Sequence, residues 1–125
     1  MSECGVCLYS DASDCEGMID GTSIVSLEKD QTCSECNKVV SAGAQIEEAI
    51  WNYDERKKPI YTCLICAEIA NAFYCGGDGR MYGGGLWEDM DEVMDDLNSA
   101  CFDRLSTPEA KTYLRERWMK WKGLP

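Results

Sequence analysis

Three Cys-x-x-Cys pairs, Cys4/Cys7, Cys33/Cys36 and Cys63/Cys66, in a chain of 125 residues without a single histidine restrict how this sequence can build a core. Two such pairs bring four thiolates within reach of one ion. A soft, redox-inert cation that accepts four sulfurs tetrahedrally suits them best, and zinc is that cation. The expected ligands are Cys33, Cys36, Cys63 and Cys66, with 26 residues between the two pairs. A redox pair, a disulfide or an iron–sulfur cluster is the alternative use of the same residues. A thioredoxin-like site would also need a βαβ context, which the sequence does not offer.

Nine cysteines in a secreted chain would signal a disulfide framework. The first residues, Met1-Ser2-Glu3-Cys4-Gly5-Val6-Cys7, carry neither a basic n-region nor an apolar h-region. The expectation is therefore a cytoplasmic protein in a reducing compartment, where paired cysteines serve metals. No apolar run is long enough to suggest a membrane span.

The formal charge is −11, from 23 acidic and 12 basic side chains with neutral thiols. A four-thiolate zinc site adds −4 and +2, giving roughly −13 with one site and roughly −15 with two. Nucleic-acid affinity rests largely on neutralising phosphates, so this balance disfavours a general nucleic-acid binder and favours a basic partner surface.

The local signals predict an α+β fold. Residues 1–22 form a Cys-rich segment without periodicity, read as a loop. Ser23-Ile24-Val25-Ser26-Leu27 is a short strand candidate. In Cys33-Ser34-Glu35-Cys36-Asn37-Lys38, asparagine follows the second cysteine, as a left-handed knuckle turn needs. Two strand-like segments, 44–53 and 58–62, flank a polar turn and predict a hairpin. Thr62 is then the expected N-cap of a helix beginning near Cys63, whose first turn favours thiolate. Together these make a zinc module over 23–76. Six glycines in ten positions from 76 to 85 predict a loop, assigned to 77–85, with no phosphate-binding ending.

A two-helix region is expected over 86–123. Leu86, Met90, Val93, Leu97 and Cys101 repeat at helical spacing and predict one long helix over 86–105, with Cys101 a buried free thiol. Its other side carries Glu88, Asp89, Asp91, Glu92, Asp95 and Asp96 without a lysine. Thr107-Pro108 opens a basic helix closed by Gly123. Its cations are Lys111, Arg115, Arg117, Lys120 and Lys122, interleaved with Trp118 and Trp121. Opposite charge and complementary apolar stripes predict an antiparallel helical hairpin.

The knuckle, hairpin and Cys-x-x-Cys at a helix start resemble a treble-clef zinc finger. Residues 33–43, 62–67, Cys75 and Gly84-Gly85-Leu86-Trp87-Glu88-Asp89 together resemble a family of small phage and prophage proteins of unassigned function. The match covers about half the chain, and its Cys pattern is more specific than the Trp-Glu-Asp segment. Asn37 stands where family members tend to carry glycine. A second four-cysteine zinc site, Cys4, Cys7, Cys15 and Cys75, would order the N-terminal segment. The alternative is that Cys15 or Cys75 is simply buried.

The resulting expectation is a non-enzymatic zinc-stabilised protein. Four thiolates leave zinc no open position, and treble-clef nucleases of the His-Asn-His type need histidines. The six carboxylates between 88 and 96 are the expected contact to a basic surface of a host or phage protein, by plain complementarity or by imitating a nucleic-acid backbone. Two alternatives stand beside it. One is a nucleic-acid module working through Lys111, Arg115, Arg117, Trp118, Lys120, Trp121 and Lys122. The other is an assembly protein that self-associates through exposed tryptophans.

Overall fold

The computed structural model describes residues 4–10, 18–77 and 80–123. In chain order the elements are β1 (Leu8–Ser10), β2 (Met18–Ser26), β3 (Gln31–Thr32), β4 (Val39–Val40), β5 (Gln45–Tyr53), β6 (Arg56–Thr62), α1 (Leu64–Phe73), β7 (Tyr74–Gly77), α2 (Leu86–Val93), α3 (Ser99–Phe102) and α4 (Pro108–Trp121). The main sheet is antiparallel, in the order β2-β5-β6, with a small antiparallel ribbon β3-β4 and a parallel pair β1-β7 beside it.

The β5–β6 hairpin turns through Asp54 and Glu55, whose φ angles of 51° and 64° are the left-handed pair of a two-residue turn. That turn sets the register Tyr53↔Arg56 through Glu47↔Thr62. Strand β2 begins at Met18 rather than at Ser23, because β5 supplies partners from Met18↔Asn52 to Ser26↔Gln45, with a register shift at Asp20. The polar residues Asp20 and Thr22, on either side of Gly21, hid the N-terminal part of the strand from a reading based on side-chain type. Pairing of β1 with β7 was also not legible, since Tyr74 to Gly77 read as a helix end and the start of a loop.

Helix α1 starts one residue later than expected. Cys63, not Thr62, is its N-cap, and the Cys63 sulfur accepts from the Cys66 amide at 3.4 Å. Thr62 is instead a buried strand residue.

The expected continuous helix over 86–105 is broken. α2 ends at Val93, a 3₁₀ turn covers Met94–Asp96, and α3 restarts at Ser99. Two causes are visible. Asp91/Asp95 and Glu92/Asp96 are like charges four apart, which weakens a helix across that turn. Asn98 then offers a better start: its side chain accepts from the Ala100 amide at 2.9 Å while Leu97 and Asn98 are extended. The apolar stripe survives the break, with Leu86, Met90, Met94, Leu97, Cys101, Phe102 and Leu105 all buried.

α4 begins as its sequence directs, with Pro108 in the first turn and the Thr107 hydroxyl accepting from the Ala110 amide at 3.3 Å. Gly123 follows it at φ 76°, a left-handed stop. It packs on α1 and α3 through Ala110 and Leu114. Residues from the cysteine module and from the C-terminal helices share one apolar cluster that contains Cys33, Cys66, Phe73, Leu86, Met90 and Leu114. Among the described residues no helix is long and apolar enough to cross a membrane.

Candidate metal centre

The knuckle is a hairpin tip. β3 and β4 pair as Gln31↔Val40 and Thr32↔Val39, and the chain between them folds back on itself, with the Cys33 amide donating to the Lys38 carbonyl at 2.8 Å. Asn37 sits at φ 64°, as the turn argument requires, so the knuckle closes without a glycine. The second pair straddles the start of α1, and the Ser34 amide donates to the Tyr61 carbonyl at 2.8 Å, tying the knuckle to the end of β6.

These ties bring the sulfurs of Cys33, Cys36, Cys63 and Cys66 together, all within 4.8 Å of one another. Cys36 and Cys63 are 3.8 Å apart. A tetrahedral zinc with bonds of about 2.3 Å separates its sulfurs by about 3.8 Å, so the cluster needs little contraction to hold such an ion. Cys33 and Cys66 are buried, and Cys36 and Cys63 are half-buried.

Backbone amides point at the sulfurs. The Glu35 and Cys63 amides donate to the Cys33 sulfur at 3.4 and 3.3 Å, and the Cys66 amide donates to the Cys63 sulfur. Such donors stabilise thiolate charge. Hydrogen bonds from the Cys63 and Cys66 thiols hold the Cys33 thiol far below its ordinary range. The same bonds to Cys33 push the Cys63 thiol up to about 12 and push Cys66 up as well. A divalent cation held by these four sulfurs would supply the charge that favours thiolate over thiol. Four cysteines this close can bind a metal ion such as zinc.

Several supporting residues have no sequence motif to announce them. The Glu35 carboxylate, inside the knuckle, accepts from the Leu86 amide at 3.2 Å and so caps α2. Desolvation by burial raises its pKa above the ordinary carboxylate value, against the pull of that amide. Arg80, the only cation between Lys58 and Arg104, makes a two-pronged bond to Glu47 at 2.6 and 2.7 Å and reaches Asn71 at 3.1 Å. It pins the glycine-rich loop to β5 and α1. Its isolation among neutral and acidic residues was the available signal.

No family model, curated protein or solved structure matches this chain.

Of the proposed second ligand set, Cys15 lies outside the described residues. The structure joins Cys7 to Cys75 and Cys4 to Cys101 as disulfides, with Cα–Cα separations of 5.5 and 4.8 Å. Cys101 is buried as expected but is not a free thiol; it meets the N-terminal segment as the partner of Cys4.

The acidic residues divide. Glu88, Asp91, Glu92, Asp95 and Asp96 are exposed, while half-buried Asp89 accepts from the Tyr74 hydroxyl at 2.5 Å. The basic helix is largely occupied with its own protein. Arg117 lies 4.1 Å over the Trp87 ring, Arg115 lies 5.4 Å over Phe102, and Lys122 lies 4.2 Å over Trp118. Trp118 meets Phe102 edge-on at 5.7 Å. Lys120 and Trp121 are exposed, and half-buried Lys111 stands near Glu68.

Proposed function

We propose that this chain is a non-enzymatic, zinc-stabilised binding protein of the phage-encoded kind, whose acidic segment docks onto a basic surface of a host or phage protein. The zinc module is read as treble-clef-like: a knuckle, the β5–β6 hairpin, and a helix opened by the second cysteine pair. The C-terminal helices form a scaffold that presents the acidic segment. Four sulfur ligands close a zinc ion to water, so the metal shapes the protein and does not activate a substrate.

The observation that carries this reading is the exposure of Glu88, Asp91, Glu92, Asp95 and Asp96 without an ion pair among the described residues. A solvated single-sign patch attracts opposite charge over a Debye length and speeds encounter with a basic partner. The alternative use of α4 on nucleic acid is weakened by the aromatic faces that Arg115, Arg117 and Lys122 already cover.

Affinity capture from infected cells, with the wild-type chain and a variant carrying Asp91→Lys, Glu92→Lys, Asp95→Lys and Asp96→Lys, tests the reading. The expected result is a basic protein held at low salt, lost at high salt and lost with the variant. Capture that is indifferent to both charge reversal and salt would refute it.

A further inference from the structure

We propose that Cys4, Cys7, Cys75 and Cys101 form a second four-thiolate site for a zinc-like cation, with Cys101 rather than Cys15 as its fourth ligand. The structure brings these cysteines together in pairs, Cys4 with Cys101 and Cys7 with Cys75. Cys4 and Cys7 have the Cys-x-x-Cys spacing of the pairs in the first site, where it gathers sulfurs within one coordination sphere. The two couples therefore converge on one short segment. Eight of the nine cysteines thus fall into two sets of four, each built on Cys-x-x-Cys.

Contacts that do not involve sulfur hold this arrangement in place. The Arg104 guanidinium donates to the Cys4 carbonyl at 2.5 Å and the Val6 carbonyl at 2.6 Å, clamping the segment from the turn that follows α3. Val6 and Leu8 are buried in the main core. β1 then runs parallel to β7, pairing Leu8 with Tyr74 beside Cys75.

The choice of metal over disulfide rests on the metal reading of the first site. Cys36 and Cys63 are half-buried and must stay reduced to bind an ion, whereas Cys7 and Cys75 are exposed. A compartment that keeps the former as thiols reduces the latter at least as readily. Each bridge takes two electrons and two protons from two molecules of a small thiol, which leave as their own disulfide. Binding one divalent cation to the four resulting thiols then releases four protons.

Metal content of the full chain decides the matter. The protein is purified with a phosphine, which reduces each bridge with one water, becomes the phosphine oxide and yields two thiols. Bound zinc is then counted by native mass spectrometry in wild type, Cys15→Ser, Cys66→Ser, Cys75→Ser and Cys101→Ser. Two zinc ions are expected in wild type and Cys15→Ser, one in Cys75→Ser and Cys101→Ser, and none in Cys66→Ser, whose loss of the first site unfolds the core that holds the second. Cys75 is exposed, so Cys75→Ser keeps the test valid if Cys101→Ser fails to fold. One zinc in wild type, lost in Cys66→Ser, would overturn this second site and leave the first intact. Two zinc ions in Cys101→Ser with one in Cys15→Ser would return the fourth position to Cys15. No zinc in wild type would overturn both sites.

Discussion

The cysteine centre and the acidic stretch that follows it reach order by different means. Around Cys33, Cys36, Cys63 and Cys66, turn chemistry, strand pairing and helix capping all point the same way: Asn37 turns left, β6 delivers Cys63, and Cys63 caps α1. Along 86–105 the apolar repeat asks for one helix, while charge and capping ask for two. Charge and capping win there, at little cost to the core, because the buried stripe continues across the break. Agreement between local signals makes a site rigid, and disagreement makes a segment whose shape depends on its surface.

The largest expected difference between the two regions lies in the metal. Structural zinc contributes on the order of 10 kcal/mol or more of apparent binding free energy, more than a domain this size holds in reserve. Cys66→Ser should therefore leave the chain without a cooperative thermal transition by circular dichroism. A normal transition in that variant would show that the core stands without its ion.

Next in size is the ion pair beside the centre. Arg80 and Glu47 expose only 7% and 8% of their side chains, so Glu47→Ala strands a buried guanidinium. The expected loss is about 3–5 kcal/mol in urea unfolding. A double variant with Arg80→Met should recover much of it, since the pair itself offsets its own desolvation only partly.

At the start of α4 the effect is smaller and depends on pH. Glu68 accepts from the Ser106 and Thr107 amides and from the Thr107 hydroxyl. Desolvation by burial raises its pKa, but these bonds outweigh it and hold the carboxyl below its ordinary value. Its contribution is complete above the ordinary carboxylate range and fades as pH falls through the lower folded value. Glu68→Gln should cost about 1 kcal/mol at neutral pH and progressively less below about pH 4. A cost that stays constant down to pH 2 would point to packing rather than charge.

Smallest of all is the change expected in the acidic stretch. Asp95→Asn removes the repulsion with Asp91 one turn earlier and should raise stability by about 0.2–0.5 kcal/mol, a gain that shrinks with added salt. Cys66→Ser and Asp95→Asn together bracket the contrast: one region tolerates no change of chemistry, the other is improved by it.

What could be read in the sequence follows from how local each signal is. The clustering of the four central cysteines, the Asn37 turn, the β5–β6 hairpin and the Thr107-Pro108 start each depend on a few adjacent residues, and each is found where those residues place it. Long-range partners were not legible. Glu35 capping α2 across 51 positions, Arg80 closing on Glu47 and Cys101 meeting Cys4 across 97 positions are settled by the packed core rather than by neighbours in sequence. The N-terminal half of β2 belongs to the same class, since its strand character comes from β5 rather than from its own side chains.

Amide hydrogen exchange on the zinc-loaded and chelated protein tests the central claim most directly, because it observes the groups that face the sulfurs. The amides of Glu35, Cys63 and Cys66 donate to sulfur, and α1 and β6 extend from the centre. The account predicts that chelation collapses protection at these three amides first and then throughout α1 and the β5–β6 hairpin, with recovery on restoring zinc. Protection that is unchanged at Glu35, Cys63 and Cys66 after the metal is removed would contradict it.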